Sequence, residues 1–156
     1  MPIEIEVLIC YIPYKLKGRF VGRYLAIDYG DVRIGLALSD PFKIISSAFK
    51  TIKNDGLENI LEALKEIISK EEIERIILGH PLGLDGNKTR KTLQVEQFGE
   101  KLNELNVPVV LYDESFSTVR AHQIIHDMGK KTGNNKEMID MLAAQVILED
   151  YMRSVQ

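Results

Sequence analysis

Disulfides, membrane spans and an excess of positive charge are all missing from this sequence, and each absence removes a class of protein. A single cysteine, Cys10, stands among 156 residues, so no internal disulfide can form. Cys10 lies in an apolar run with no histidine or base beside it, and reads as a buried or incidental residue, not a catalytic thiol. No apolar run is long enough to cross a bilayer. The start is not a secretory signal, because Glu4 and Glu6 occupy the place of a basic leader and no small-residue cleavage site follows. A cytoplasmic location with no membrane partner is the expectation. The net charge of -3 speaks against a protein that coats nucleic acid. It leaves a nuclease open, because carboxylates gathered for a metal lower the sum.

What is present is an ordinary globular composition, 45% hydrophobic and 28% charged, in a length that fits one domain. No repeat, low-complexity tract or linker divides it. Residues 1 to 22 form an N-terminal extension, with Ile3, Ile5, Val7 and Ile9 alternating as in an edge strand, or else a disordered arm. Residues 23 to 156 make the domain. Positive charge is grouped: Lys15, Lys17, Arg19 and Arg23 early, Lys88, Arg90 and Lys91 in the middle, and Lys130, Lys131 and Lys136 around a Gly/Asn-rich loop.

The order of elements follows from periodicity. Tyr24 to Ile27, Ile34 to Leu38 and Ile44 to Ile52 read as three strands at short intervals, an antiparallel meander with Asp40-Pro41 at its second turn. Leu57, Ile60, Leu61, Leu64, Ile67 and Ile68 fall on one helical face, with Asp55 as cap and Glu58 completing a capping box. Arg75 to Leu78 reads as a buried strand, closed by Gly79-His80-Pro81. A helix with Val95, Phe98, Leu102 and Leu105 inward follows, then a strand from Val109 to Tyr112. Ser117 can cap a third helix carrying Val119, Ile124 and Ile125, and a last helix runs from about Lys136 towards Met152. The expected fold is α/β: a mixed five-stranded sheet with helices on both faces.

Three acids stand where such a fold puts function. Asp28 ends the first strand and Glu114 follows the fifth. Asp140 shares a helix face with Ala143, Ala144 and Ile147, where alanines let the helix approach the sheet. An acid on an apolar face is costly unless it is paired or binds a metal. Clustered carboxylates repel one another, and a divalent cation removes the penalty. Oxygen-only ligands favour Mg²⁺ or Mn²⁺. Taken singly, each acid also fits a plainer role in turn chemistry or helix-end charge.

Tyr24-Leu-Ala-Ile-Asp-Tyr-Gly-Asp-Val-Arg-Ile-Gly-Leu-Ala-Leu-Ser-Asp40 closely resembles the opening of the YqgF family, also called RuvX. Gly79-His-Pro-Leu-Gly-Leu-Asp-Gly86, Asp113-Glu-Ser-Phe-Ser-Thr118 and Asp140-Met-Leu-Ala-Ala-Gln-Val-Ile-Leu148 resemble that family's glycine-proline loop, acidic strand end and last helix. The resemblance implies one of two activities by which the family is described: resolution of Holliday junctions, or nuclease processing of the 5′ end of precursor 16S ribosomal RNA. The resemblance runs from about Tyr24 to Met152 and implies an RNase H-like fold with Asp28, Glu114 and Asp140 as catalytic metal ligands. Ser115 departs from it, since the family carries arginine there, which puts one substrate contact in doubt. His80, where the family commonly has a leucine or similar residue, reads as a loop residue.

Arg33, Lys88, Arg90, Lys91, Lys130, Lys131 and Lys136 are the candidate contacts to a nucleic-acid backbone. Arg33 fits either a phosphate contact or a turn arginine facing water. Lys88 and Lys91, three apart, are expected to share a face at a helix start, where phosphate is favoured. The first reading is a phosphodiester hydrolase with two metals about 3.5–4 Å apart, acting on structured RNA or branched DNA. A non-catalytic nucleic-acid module is the second. The third is a nucleotide binder, because Asp28-Tyr-Gly-Asp-Val-Arg-Ile-Gly35 resembles the phosphate turn of sugar kinases and actin. Those proteins need two such domains, and this chain is too short for both. No motif reads bases or a 2′-hydroxyl, and oligomeric state is open.

Overall fold

The computed structural model describes residues 22–114, 123–124, 127 and 135–156. The expected strand at Ile3–Ile12, Cys10, the early lysines, Ser115, Ser117, Lys130 and Lys131 lie outside the described residues.

Three strands open the domain: β1 Arg23–Tyr29, β2 Arg33–Ser39 and β3 Ser46–Lys53. Helix α1 (Leu57–Lys70), β4 (Ile73–His80), α2 (Arg90–Leu102), a short 3-10 turn at Asn103–Leu105 and β5 (Val109–Asp113) follow. Of the expected third helix, Gln123, Ile124 and Asp127 are described and helical. The last helix, α3, spans Lys136–Ser154. The sheet order is β3-β2-β1-β4-β5. β1–β2 and β2–β3 are antiparallel, and β4 is parallel to both β1 and β5. The mixed five-stranded sheet expected from the element order is therefore present.

Strand alternation sorts side chains onto two faces. Leu25, Ile27, Ile34, Leu36, Ile76 and Leu78 face α1 and α2, where Ile60, Leu64, Val95, Phe98 and Leu102 close the larger core. Burying each such side chain contributes about 1.5–3 kcal/mol. Ala26, Ala37, Ile77 and Tyr112 face the other way and meet Ala144, Ile147, Leu148, Tyr151 and Met152 of α3. The small residues under α3 let it lie close. Its C-terminal half is anchored by Tyr151, whose hydroxyl accepts from Arg75 at 2.8 Å and whose ring meets Tyr24 and Tyr112 edge-on.

Two local expectations fail for identifiable reasons. The third strand starts at Ser46, not Ile44. The Asp40 carboxylate accepts from the backbone N–H groups of Phe42, Ile44 and Ile45 at 2.9, 2.6 and 2.7 Å. That turn diverts the chain and leaves Ile44 and Ile45 exposed. Helix α1 is not capped by Asp55: its N-cap is Gly56 at φ 139°, with no side-chain cap. The capping box sits on α2 instead, where Thr89 and Thr92 exchange backbone and side-chain bonds.

Candidate active site

Asp28 is one residue from the end of β1, two residues past Ala26, so its side chain rises on the α3 face. Its partner across β2 is Gly35, just as Ala26 pairs with Ala37. A Cβ on Gly35 would run into the Asp140 backbone, with the Asp140 Cα only 3.2 Å away. The glycine is therefore what admits the first turns of α3 to the sheet, and it stands Asp140 over the strand next to Asp28.

The mirror arrangement lies on the other side of β1. Ile27 is in register with Leu78 of β4, which puts Gly79 beside Asp28. A Cβ on Gly79 would strike the Glu114 carboxyl and come within 2.7 Å of Ile147 Cδ1. Glu114 itself is fixed by the sheet: β4 and β5 pair as far as His80 and Asp113, and the Glu114 N–H donates to the His80 carbonyl at 3.3 Å. Asp28 is thus flanked by two glycines, with Asp140 over one and Glu114 over the other. The three expected acids share one edge and one face of the sheet, at the carboxyl ends of the parallel strands, where open α/β sheets bind ligands.

Burial pushes the Glu114 carboxyl up to about 8, with the charges of Asp28 and Asp113 adding to the rise and Lys91 opposing it. Burial and the neighbouring carboxylates therefore disfavour the charged form of Glu114 in this patch of the sheet. A hard divalent cation fits it chemically, since every donor is a carboxylate oxygen. Yet among the described residues no three His, Cys, Asp or Glu side chains stand close enough together to hold a metal ion as they lie. Asp140 is engaged elsewhere: its Oδ2 accepts from Arg33 Nε at 2.7 Å. Arg33 is thus an ion-paired residue and not simply a turn arginine facing water.

The lysines of the basic group at α2 take different partners. Lys88 precedes the helix and pairs with Glu96 at 2.8 Å, while Lys91 reaches back to Asp31 at 2.7 Å and lies 4.9 Å from the Tyr29 ring centroid. Lys88 and Lys91 therefore do not share a face in their contacts. Arg90 is exposed at the first helical position, and Lys136 is exposed at the start of α3.

His80 corrects the sequence reading most clearly. It is the last residue of β4, 1% exposed, and its Nε2 lies 2.9 Å from Glu96 Oε1. It is a buried, paired side chain on the α2 face, not a loop residue. Asp113, Gly35, Gly79 and the Arg33–Asp140 pair were also missed. Strand parity gives a sequence signal for the glycines: each stands two residues from an inward residue of the α3 face, Ala37 and Ile77.

The match to a family model covers residues 22–154 and carries the description "RuvX: Holliday junction resolvase". A Ruminiclostridium cellulolyticum protein named "Putative pre-16S rRNA nuclease" is 35% identical over 132 residues, covering 83% of this chain and 93% of its own. A Caldanaerobacter subterraneus protein of the same name is 36% identical over 134 residues, with 85% and 96% covered. Among solved structures, Thermus thermophilus RuvC in complex with a Holliday junction superposes with a TM-score of 0.54 at 13% identity, covering 86% of this chain and 97% of that one. The yeast mitochondrial resolvase Ydc2 gives 0.53 at 15% identity, with 85% and 78% covered. The structural likenesses share the RNase H-like sheet, the sequence match spans nearly the whole described domain, and the chain accordingly belongs to the RuvX family and is a nuclease of the RNase H-like fold.

Proposed function

We propose that this chain hydrolyses phosphodiester bonds with Mg²⁺ or Mn²⁺ held by Asp28, Glu114 and Asp140, and that its substrate is the 5′ end of precursor 16S ribosomal RNA. The observation that carries the reading is the convergence of the three acids at one sheet edge, with glycines at 35 and 79 leaving room for two of them. The name borne by relatives about 35% identical over most of their length supports the RNA substrate. A divalent cation bound there would acidify a water and neutralise charge on the scissile phosphate.

The chain's own groups supply the rest. Burial first, and then the charges of Asp28 and Asp113, favour the protonated form of the Glu114 carboxyl in the metal-free protein. Arg33, Lys88, Arg90, Lys91 and Lys136 would hold the backbone of the nucleic acid, together with Lys130 and Lys131 outside the described residues. Contacts of this kind position a strand without reading its sequence.

The family description supports a second substrate, a four-way DNA junction. A cleavage panel in Mn²⁺ decides between them: precursor RNA, single-stranded RNA, duplex DNA and four-way junctions, each with wild type and Asp28→Asn. The RNA reading expects cleavage at the precursor's 5′ end, reduced at least about a hundredfold by Asp28→Asn in a folded protein. Cleavage of the junction alone would move the substrate to branched DNA. Full activity of Asp28→Asn would remove the metal-site assignment.

A further inference from the structure

Two observations concern the same carboxylate. Asp140 stands over the strand beside Asp28, yet it is engaged by Arg33, 107 residues away in sequence, at 2.7 Å. Among the described residues the acids do not lie close enough together to form a three-ligand metal cluster. We propose that Arg33 is a resident counter-cation for Asp140, which a metal must displace, and that the released guanidinium then takes the substrate phosphate. This rests on the metal-site reading above and deepens it: Arg33 becomes a positioning residue that ties metal uptake to substrate uptake.

The geometry favours exchange over a fixed structural pair. Arg33 lies on β2 two residues before Gly35, so both project to the α3 face. Gly35 is the residue that lets the Asp140 backbone against the sheet. The guanidinium therefore borders the same face as Asp28 and Glu114. Both side chains of the pair are 27% exposed, so the contact is partly desolvated while water still reaches it. Such a pair is stronger than an open surface bridge, but it can still trade partners. A guanidinium has five N–H donors matched to carboxylate and phosphate alike. A carboxylate accepts equally from arginine or a hard cation.

The energetic consequence is coupling. A metal arriving alone must break the pair and leave Arg33 uncompensated near a new positive charge. A phosphate arriving alone must leave Asp140 uncompensated beside Asp28. When both arrive, the partners are exchanged: Asp140 to metal and Arg33 to phosphate. By linkage, each ligand then raises the affinity for the other by the same factor.

The test is Mn²⁺ binding in the absence of nucleic acid, read by electron paramagnetic resonance of free Mn²⁺ and by titration calorimetry. Wild type, Arg33→Gln, Arg33→Lys and Asp28→Asn are compared at one ionic strength. Arg33→Gln should bind Mn²⁺ about tenfold more tightly than wild type, because competition and charge repulsion are both removed. Arg33→Lys, which keeps the charge, should stay near wild type. Arg33→Met is the second variant should Arg33→Gln not fold, and the same gain is expected of it. Adding a phosphorothioate-blocked RNA should tighten Mn²⁺ binding in wild type and much less in Arg33→Gln.

Unchanged or weaker Mn²⁺ binding in the folded glutamine or methionine variant overturns the proposal, since an arginine that merely orients Asp140 would give that result. If Asp28→Asn binds Mn²⁺ as wild type does, the metal site itself is misplaced. If Asp28→Asn loses binding while Arg33→Gln is unchanged, the site stands and only the exchange fails. No binding by any of these proteins rejects both.

Discussion

The Glu114 carboxyl lies against the bare Cα of Gly79, in space that a Cβ would occupy. Ile147 of α3 closes the same space from above, 2.7 Å from where that Cβ would be. Gly79→Ala should therefore displace either the carboxyl or the helix. The expected outcome is a loss of about 1–3 kcal/mol of stability, typical of overpacking, with cleavage lost even where the protein remains folded. Thermal melts and the cleavage panel check it. A Gly79→Ala protein of unchanged stability and activity would show that the acid does not need this position.

Glu114 also sets a pH dependence of the metal-free protein. Its folded value is raised to about 8 from an ordinary 4.5, by burial first and then by Asp28 and Asp113. Between those values the folded state binds more protons than the unfolded state, so stability falls as pH rises. The contribution is fully present below the unfolded value and is lost as pH passes the folded one. With chelator present, Glu114→Gln should remove this slope and be the more stable protein above pH of about 8. Denaturant melts from acid to mildly alkaline pH measure it. A wild type with flat stability over that window would contradict the assignment.

Asp140 behaves differently, although it belongs to the same three acids. Relief of carboxylate repulsion alone would make Asp140→Asn a stabilising change. Arg33 already supplies a positive partner at 2.7 Å. Asp140→Asn therefore loses an ion pair and should lower the metal-free protein's stability by about 0.5–1.5 kcal/mol while abolishing cleavage. A rise in melting temperature would mean that repulsion from Asp28 outweighs the pair.

The element order and the mixed sheet were legible because each strand is bounded by clear turn signals and the crossovers after β3 are long enough to be helical. The acids were legible because they end strands or sit on a helix face of alanines. What was hidden is register. Nothing local says that Asp28 faces Gly35, because that depends on how the Gly30–Val32 turn closes the hairpin. Arg33 and Asp140 lie 107 residues apart, and no pattern joins them before the fold does. The apolar pair Ile44-Ile45 imitated a strand start because side-chain bonds from Asp40, which compete with the ladder, cannot be weighed from hydropathy.

That Asp40 turn gives its own prediction. Burial raises the Asp40 carboxyl, but the N–H groups of Ile45, Ile44 and Phe42 outweigh it and hold the value below the usual carboxylate range. The folded value being depressed, the contribution is present above the unfolded value and is lost as pH falls through the folded one. Asp40→Ala leaves those amides to water and should cost about 1–2 kcal/mol at neutral pH, and much less in acid. Equal destabilisation at both pH values would show that the turn does not depend on the charge.

The basic residues near α2 make unequal contributions to backbone binding. Lys88 and Lys91 are already paired, with Glu96 and Asp31, whereas among the described residues no carboxylate lies within ion-pair distance of Arg90. A lysine already neutralised by its own carboxylate displaces fewer of the counterions condensed on the nucleic acid. Each full phosphate contact changes the slope of log K against log salt by about 0.7–0.9. Arg90→Ala should flatten the slope by close to that amount for every substrate alike. Lys88→Ala and Lys91→Ala should each flatten it by less, and their effects should grow when Glu96 or Asp31 is neutralised by Glu96→Gln or Asp31→Asn. Binding isotherms at several salt concentrations, in an Asp28→Asn background that does not cleave, give the slopes. Equal slopes lost from all three positions would mean that both ion pairs open on binding. A change confined to one sequence would mean that the group reads bases, against the backbone assignment.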